Sequence, residues 1–334
     1  MERKLASIQE IVDTQPIEGA DRIEVATILG WKVVVKKGEF KAGDKCVYFE
    51  VDSLLPRKPW NDFLADKNKP EAPIRLKTIR LRGQVSQGLA LPIKEVVNPY
   101  PLEVEEPVGG EDLTDFLGVK KYIRPIPPNL SGKVKGSFPG FLQKTDEERI
   151  QNLPDYIESM KGKTFYITEK VDGTSGTYYD HEGEFGVCSR NLELLETEEN
   201  TFWQMARELG LRDILKNKEI AVQGEIVGPG IQKNRLMLEK RKLLVFNVFD
   251  IKEYKRYNLG KFVKFCRDHG LETVPIIDTC WGFKGTMDEI ITMADGESHF
   301  SKQVKREGLV FRQVDDSHIS FKAISNKYLL EHGE

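Results

Sequence analysis

Lys170 and Asp172, two positions apart in the middle of the chain, are followed directly by Gly173. They come after the β-branched and aromatic run 164–168, which is typical of a strand, and an Asp-Gly pair is typical of a turn. Two interpretations compete: a solvated lysine beside a hairpin turn, or a nucleophilic lysine that forms a covalent bond to a phosphorus atom. Because a K-x-D-G string is expected by chance in roughly one chain in ten of this length, the rest of the chain must decide.

Three further charged residues interrupt or border apolar strand-like runs downstream: Glu225, Glu307 and Lys322. Burying a charge is costly unless the charge is paired or bound to a metal. Any one of these side chains can be explained by a strand end that faces water. Five charges of this kind in one sheet-rich region, counting Lys170 and Asp172, favour a shared site instead.

The elements that must position these charges lie in residues 144–334, where the pattern is mixed α/β. Residues 1–118 contain several short strand-like runs with turn signals, which predicts a small β-barrel. Prolines and glycines in residues 119–143 break regular elements, so this segment is predicted to be a linker or a loop. The chain of 334 residues is therefore expected to form two domains.

Four helices are predicted in the second domain. A capping box that begins at Thr145 predicts a helix ending near Pro154. An amphipathic pattern predicts a helix over 197–216, and flanking Asn and Gly residues predict another over 258–269. A second capping box, at Thr286, opens the fourth. The apolar faces of these helices indicate packing rather than chemistry.

Composition excludes several classes of protein. The net charge of −3 and the isoelectric point near 6.1 rule out a globally basic nucleic-acid binder, so any such contact must use local basic patches such as 75–82, 120–124 and 302–306. Four scattered cysteines fit buried thiols better than disulfides or a zinc site. Without an apolar run of membrane-spanning length or a signal-peptide core, we expect an intracellular, cytoplasmic protein.

The order of motifs resembles the covalent nucleotidyltransferases, which are the polynucleotide ligases and capping enzymes. K-x-D-G is followed by S-R-N at 189–191, a strand glutamate, F-x-x-F-D at 246–250, E-G-L-V and S-F-K-A. The N-terminal part together with residues 145–152 is similar to the family 5 RNA ligases. That resemblance implies an α+β fold, with an N-terminal OB-fold β-barrel (1–118) before an antiparallel-sheet, ATP-grasp-like ligase domain (144–334).

The activity implied by the resemblance is ATP-dependent joining of RNA 3′-hydroxyl and 5′-phosphate ends, at nicks in duplexes. Lys170 attacks the α-phosphate of ATP and expels pyrophosphate, the AMP passes to the RNA 5′-phosphate, and the RNA 3′-hydroxyl then displaces AMP. RNA is the expected partner, no membrane is involved, and a monomer is expected.

The resemblance also assigns the catalytic residues, and their chemistry is consistent with it. A free lysine has a pKa near ~10.4 and is a poor nucleophile when protonated. Lys322 and a divalent metal would lower the pKa of Lys170 and stabilise charge on the α-phosphate. Asp172, Glu225 and Glu307 are hard oxygen ligands suited to Mg²⁺ or Mn²⁺.

Nucleotide-binding residues follow from the same resemblance. Arg149 is expected on the phosphate tail of ATP, and Arg190 on the ribose or the 5′-phosphate. Phe246 is expected to stack on adenine, with Phe249 as the alternative and core packing as the plain explanation for both. Glu169 is expected to read the adenine edge. The remaining residues assigned to the nucleotide are Lys170, Gly173, Glu225 and Lys322.

One departure and two alternatives stay open at this stage. Related RNA ligases often carry K-x-K in the last motif, whereas Ile324 stands at the second position here, and either Lys327 or a cation of the N-terminal domain is a candidate replacement. A DNA ligase or capping enzyme usually places its OB domain after the catalytic domain. A non-catalytic OB-type RNA- or tRNA-binding protein leaves the five strand charges unexplained.

Overall fold

Alternating segments in the first third of the chain form short antiparallel strands, as their sequence predicts. The computed structural model describes residues 4–66, 69, 71–97, 108–122, 133–315 and 319–332. The chain divides into two units, one formed by Met1–Pro125 with Leu329–Glu334 and the other by Ile126–Tyr328. The elements of the first unit are β1 (Ala6–Glu10), β2 (Asp13–Pro16), β3 (Ile23–Ile28), β4 (Trp31–Lys36), β5 (Lys45–Phe49), β6 (Ser53–Leu55), β7 (Ile74–Arg75), β8 (Thr78–Leu81), β9 (Gln84–Gln87), β10 (Leu89–Pro92), α1 (Ile93–Val96) and β11 (Lys120–Lys121).

Small antiparallel sheets build this first unit. Their strand orders are β1-β5-β10, β2-β3-β4 and β11-β6-β7, together with the β8-β9 hairpin. Strand β5 has both faces buried, because Tyr48 packs with Trp31 in one apolar cluster and Phe49 packs with Ile8 in another. The two clusters on either side of one strand are the expected core of a β-rich domain of this length.

The second unit holds the longer strands. Its elements, with the helix that follows Ser325, are β12 (Val134–Ser137), α2 (Ile157–Met160), β13 (Thr164–Lys170), β14 (Thr174–His181), β15 (Glu184–Cys188), β16 (Leu192–Leu194), α3 (Thr201–Glu208), α4 (Leu211–Leu215), β17 (Ile220–Val227), β18 (Lys242–Asp250), β19 (Lys255–Arg256), α5 (Leu259–Asp268), β20 (Ile276–Gly282), α6 (Met287–Met293), β21 (Glu297–Ser298), β22 (Ser301–Lys305), β23 (Gly308–Gln313), β24 (Ser320–Ile324) and α7 (Asn326–His332).

Two sheets dominate the second unit. The larger has the order β12-β16-β15-β14-β17-β18-β19, and the smaller has the order β20-β13-β23-β24. An apolar cluster that includes Trp203, Leu211 and Phe262 lies between the larger sheet and helices α3, α4 and α5. A second cluster, with Phe165 and Ile290, lies between the smaller sheet and α6.

The chain crosses from the smaller sheet to the larger one at the K-x-D-G motif. Lys170 ends β13, which pairs with β20 and β23, whereas Thr174 begins β14, which pairs with β15 and β17. The interpretation of a lysine beside a hairpin turn is therefore wrong, since β13 and β14 belong to different sheets. Lys170 stands at the junction of the two sheets.

The helix predicted from the Thr145 capping box does not form. Residues 143–148 form no regular element, Arg149 is extended, and short helical turns follow, of which the first is the 3₁₀ turn Ile150–Asn152. Glu147 is buried against Arg256 and Arg312, and Arg149 forms a β-bridge with Lys322. A helix here would take Glu147 away from the two buried arginines, and leaving them without their carboxylate costs more than a cap contributes.

Of the three other helices predicted from the sequence, one is split in two and two form as predicted. The single helix expected over 197–216 is two helices, α3 and α4, separated by Gly210 in the left-handed region at φ 62°. The helices expected after Asn258 and Thr286 form as α5 and α6, each with the predicted cap.

The segment 119–143 was expected to contain no regular element, but it contributes β11 and β12. Residues 123–132 of that segment lie outside the described residues. The boundaries predicted at 118 and 144 stay predictions. In the described part of the chain, no helix combines the length and apolar character needed to cross a membrane.

Candidate active site

Lys170 is paired with Glu307 at the junction of the two sheets. The antiparallel register sets Lys170 opposite Gly308, so Glu307, one residue before β23, lies beside the lysine. The Lys170 ammonium donates to both carboxylate oxygens of Glu307, each at 2.7 Å. The side chain of Lys170 is 27% exposed and that of Glu307 is 9% exposed. This charge-assisted pair fixes the lysine while leaving it open to a ligand.

Asp172 is held by two donors. Its Oδ2 accepts hydrogen bonds from Arg235 at 2.6 Å and from the Tyr328 hydroxyl at 2.7 Å. Arg235 also donates to the Tyr328 oxygen at 2.8 Å, which closes a three-membered network. Burial, together with the hydrogen bond to Asp172, raises the pKa of Tyr328, so its hydroxyl stays a donor.

Glu225 lies in β17, opposite Ser175 of β14. Burial raises the pKa of Glu225 to about 8, and the negative charges of Glu307 and Asp172 add to the increase, while the Lys170 cation opposes it. Glu225 is therefore within electrostatic range of Asp172, Glu307 and Lys170. Three carboxylates are thus grouped around one lysine.

Their chemistry fits a hard divalent cation, which prefers carboxylate oxygens and retained waters. Asp172 pairs with Arg235 and Glu307 pairs with Lys170, so these carboxylates are held by protein cations. Within the described ranges, no group of three or more acidic, His or Cys side chains is close enough to hold a metal directly. Water-mediated binding is the mode that this donor set favours.

Three cations also gather at the site. Lys322 lies in β24, its backbone N–H donates to the Glu148 carbonyl at 2.7 Å, and it bridges to Arg149. Burial lowers the pKa of Lys322 to about 8, with Lys170 and then Arg149 contributing repulsion. Lys170, Lys322 and Arg149 therefore converge, and their mutual repulsion is relieved by a bound polyanion.

Arg190 lies at the exposed edge of this region. It binds Asp146 through two contacts, Nε to Oδ2 at 3.0 Å and Nη2 to Oδ1 at 2.6 Å. Burial by itself raises the pKa of Asp146, but the Arg190 guanidinium outweighs that effect, so the pKa is lowered. The positive charges of Lys322 and Lys170 also lower the pKa of Asp146, so Arg190 lies near these two lysines.

Phe246 occupies a β-bulge in β18. Gln223 pairs with Asn247 and Gly224 pairs with Val245, so Phe246 lies between two successive pairs of the ladder. Its ring is half-buried against a cluster that contains Val171, the residue after Lys170. Phe249, the alternative for adenine stacking, is fully buried in a different cluster and is a core residue.

Two more predicted residues have structural partners. The Glu169 carboxylate accepts hydrogen bonds from the Ser298 hydroxyl at 2.6 Å and from the His299 N–H at 2.8 Å. Gly173 packs so closely on β17 that an added Cβ would lie 2.4 Å from the Ile226 carbonyl oxygen. The carboxylate of Glu169 thus holds the β21–β22 turn, and adenine recognition by this residue stays a prediction.

The comparisons with known proteins agree with this geometry. A family model for an OB-fold domain matches residues 5–93, and an RNA ligase model matches residues 163–327. The solved structure of a Naegleria gruberi RNA ligase variant with ATP and manganese has 40% identity and a TM-score of 0.84, covering 98% of this chain and 99% of that one. The chain belongs to the RNA ligase family.

Two further structures of the Naegleria gruberi RNA ligase match over 99% of both chains. One, a variant with AMP and manganese, is 41% identical with a TM-score of 0.84, and the other, with pyrophosphate, is 40% identical with a TM-score of 0.82. A search of curated proteins found none that matches this chain. The predicted fold class, an OB-fold followed by an α+β ligase domain, and the predicted ATP-dependent RNA ligase family are confirmed.

Sequence reasoning missed a buried ionic cluster in the ligase. Glu147, 7% exposed, pairs with Arg312 at 2.9 Å and with Arg256 at 3.3 Å, and the two arginines are 3% and 5% exposed. Ser320 also donates to Glu147. Arg312 interrupts an apolar strand in the same way as the five charges singled out above, so the same signal marks it.

Sequence patterns also did not indicate Arg235 or Tyr328, the two donors to Asp172.

The structure shows the surroundings of Ile324, which stands at the second position of the last motif. Ile324 is buried at 3% exposure, and Lys327 forms an ion pair with Asp295 at 3.3 Å. Because this lysine is 65% exposed and its ion pair is weak, Lys327 stays a candidate replacement.

Proposed function

We propose that this RNA ligase seals RNA 3′-hydroxyl and 5′-phosphate ends through a covalent lysyl-AMP at Lys170. The observation that supports the proposal most strongly is the position of Lys170 at the sheet junction, among both cations and carboxylates. The cofactors are ATP and a divalent metal ion, Mg²⁺ or Mn²⁺, and the related Naegleria gruberi enzyme is described with ATP and manganese.

In the first step Lys170 attacks the α-phosphate of ATP and pyrophosphate leaves. Before the attack Nζ must lose a proton, and its two hydrogen bonds to Glu307 aim the ammonium at a carboxylate. Lys322 and Arg149 neutralise phosphate charge, which is the main requirement of in-line phosphoryl transfer. A bound divalent metal supplies further charge neutralisation, and Asp172, Glu225 and Glu307 are the residues that would hold it.

In the later steps the AMP passes to an RNA 5′-phosphate, and the RNA 3′-hydroxyl then displaces AMP. Arg190, exposed beside Asp146, is placed to contact the ribose or the 5′-phosphate. Phe246 is the stacking partner of adenine, and its half-buried ring beside Val171 supports that assignment. We propose duplex nicks with ribonucleotides on the 3′-hydroxyl side as substrates, and a monomer as the working form.

The deciding experiment is incubation with α-labelled ATP and Mg²⁺ or Mn²⁺, followed by denaturing electrophoresis. Wild type should carry a protein-bound label, and Lys170→Ala should carry none. Lys163→Ala, which changes a lysine just before the same strand, is the matched control and should label normally. Absence of label in wild type, or equal label in Lys170→Ala, would refute the covalent lysyl-AMP. Preferential labelling from GTP would indicate capping chemistry instead.

The substrate is tested with a nicked duplex that already carries AMP on its 5′-phosphate. Wild type should seal this nick without ATP, and it should seal a nick with a 3′-terminal ribonucleotide faster than one with a 3′-terminal deoxyribonucleotide. Faster joining of single-stranded ends than of the duplex nick would contradict the nick assignment while leaving RNA ligation intact.

A further inference from the structure

Arg312 contacts Phe246 in two ways. Its Nη1 donates to the Phe246 carbonyl at 2.7 Å, and its guanidinium carbon lies 5.8 Å from the centre of the Phe246 ring. The carbonyl belongs to the bulged residue of β18, at a step where the ladder with β17 is irregular. Such a bulge re-aims a side chain, and a buried donor on its carbonyl fixes the new direction.

The ionic cluster does not require Arg312 for charge balance. Glu147 carries one negative charge, and both Arg256 and Arg312 are buried beside it. Either arginine alone would balance the charge of the carboxylate, and Arg312 is also hydrogen-bonded to the Tyr166 side chain. Retaining a second buried guanidinium is costly unless it does something else. Arg312 donates to the Phe246 carbonyl, whereas Arg256 donates to the Ser320 hydroxyl.

We propose that Arg312 is a positioning residue that holds Phe246 as the platform on which the nucleobase of ATP stacks. This inference rests on the proposed function, in which Phe246 stacks on adenine. The guanidinium lies at a cation–π distance from the ring, and the ring is only half-buried, so part of it stays open to the base. The hydrogen bond to the carbonyl keeps the bulge, and with it the direction of the ring.

The test is a double-mutant cycle on the KM for ATP in the self-adenylylation reaction. Phe246→Ala should raise this KM about tenfold, which corresponds to the loss of one base–aromatic stack. Arg312→Met should raise it severalfold, with little change in the maximal rate. If Arg312 acts only through Phe246, the double variant should be no worse than Phe246→Ala alone.

Arg256→Met is the matched control. It removes the other arginine from the same carboxylate and leaves a single neutral pair, as Arg312→Met does. Thermal unfolding of both variants measures the structural cost of losing an arginine. The KM for ATP should change less than twofold in Arg256→Met. Arg312→Lys, which keeps a cation but loses the planar fork, should show an intermediate KM.

Two results would overturn the inference. One is that Arg312→Met raises the KM for ATP by the same factor in wild type and in Phe246→Ala. The other is an equal rise of KM in Arg256→Met and Arg312→Met, which would mean that only the stability of the cluster matters. Failure of the proposed function would look different, since no variant or wild-type protein would then carry a Lys170-dependent label.

Discussion

Glu147 provides the most direct test of the ionic cluster. Replacing it with Gln keeps the shape of the side chain but removes the negative charge that pairs with both Arg256 and Arg312. Breaking a buried ion pair by removing one partner costs about 3–5 kcal/mol, because the remaining charge is buried without compensation. Two guanidiniums that are 3% and 5% exposed would remain, so the upper half of that range is expected.

Arg256→Met should destabilise the protein less than Glu147→Gln does. That variant loses one hydrogen bond to Ser320 and one ion-pair contact, but it leaves Glu147 neutralised by Arg312. Its expected cost is about 1–3 kcal/mol. In a unit of this size, Glu147→Gln should lower the Tm by about 10 °C or more, and Arg256→Met by roughly half as much.

Urea unfolding of wild type and both variants at neutral pH measures the free energies. A loss below about 1 kcal/mol in Glu147→Gln, or a larger loss in Arg256→Met, would refute the charge argument. The pH dependence gives a second check. Burial raises the pKa of Glu147, but the two arginines overcome this and hold the pKa below its usual value. The stabilisation is therefore present above pH ~4.3 and is lost as the pH falls. Acid should therefore reduce the difference in the free energy of unfolding between wild type and Glu147→Gln.

Three further predictions concern the site itself. Gly173→Ala should abolish or greatly slow self-adenylylation, because the added Cβ would lie 2.4 Å from the Ile226 carbonyl oxygen; normal labelling would contradict the tight crossing. ATP binding in EDTA at pH 8 should take up protons, because burial brings the pKa of Lys322 to about 8 and phosphate raises it. Calorimetry in buffers of different ionisation enthalpy measures the uptake. Lys322→Arg should reduce it, and Glu225, whose pKa is also raised to about 8, contributes the remainder. Tyr328→Phe should slow self-adenylylation about three- to tenfold by releasing Asp172 from one of its two donors, and an unchanged rate would show that Arg235 suffices.

The order of charged residues in apolar strands predicted the centre of the site. Lys170 ends β13 and Glu225 lies in β17, whereas Asp172 lies in the crossing between β13 and β14. The three charges lie close enough for Lys170 and Asp172 to shift the pKa of Glu225. The sequence did not predict that β13 and β14 belong to different sheets. An Asp-Gly pair is compatible with a hairpin and with a crossing, and only long-range pairing decides between them.

The partners of the charged residues were beyond the reach of sequence patterns. Arg235 lies in a turn and Tyr328 in a helix, 63 and 156 positions from Asp172, and neither position breaks a periodic pattern. The Thr145 segment failed for the opposite reason. A clear local helix signal was present, but a cap contributes about 1 kcal/mol, whereas leaving Arg256 and Arg312 buried without Glu147 costs about 3–5 kcal/mol.

The sheet junction also limits how the chain length can change during evolution. Lys170 is fixed by its pairing with Gly308, and Thr174 by its pairing with Ile226. Between them Val171 is buried and Gly173 is pressed against a backbone carbonyl. An inserted residue has no space here, and a shift of one position in either strand would turn its side chains to the other face. The spacing of this motif is therefore set by the separation of two sheets, and insertions or deletions must occur in the surrounding turns.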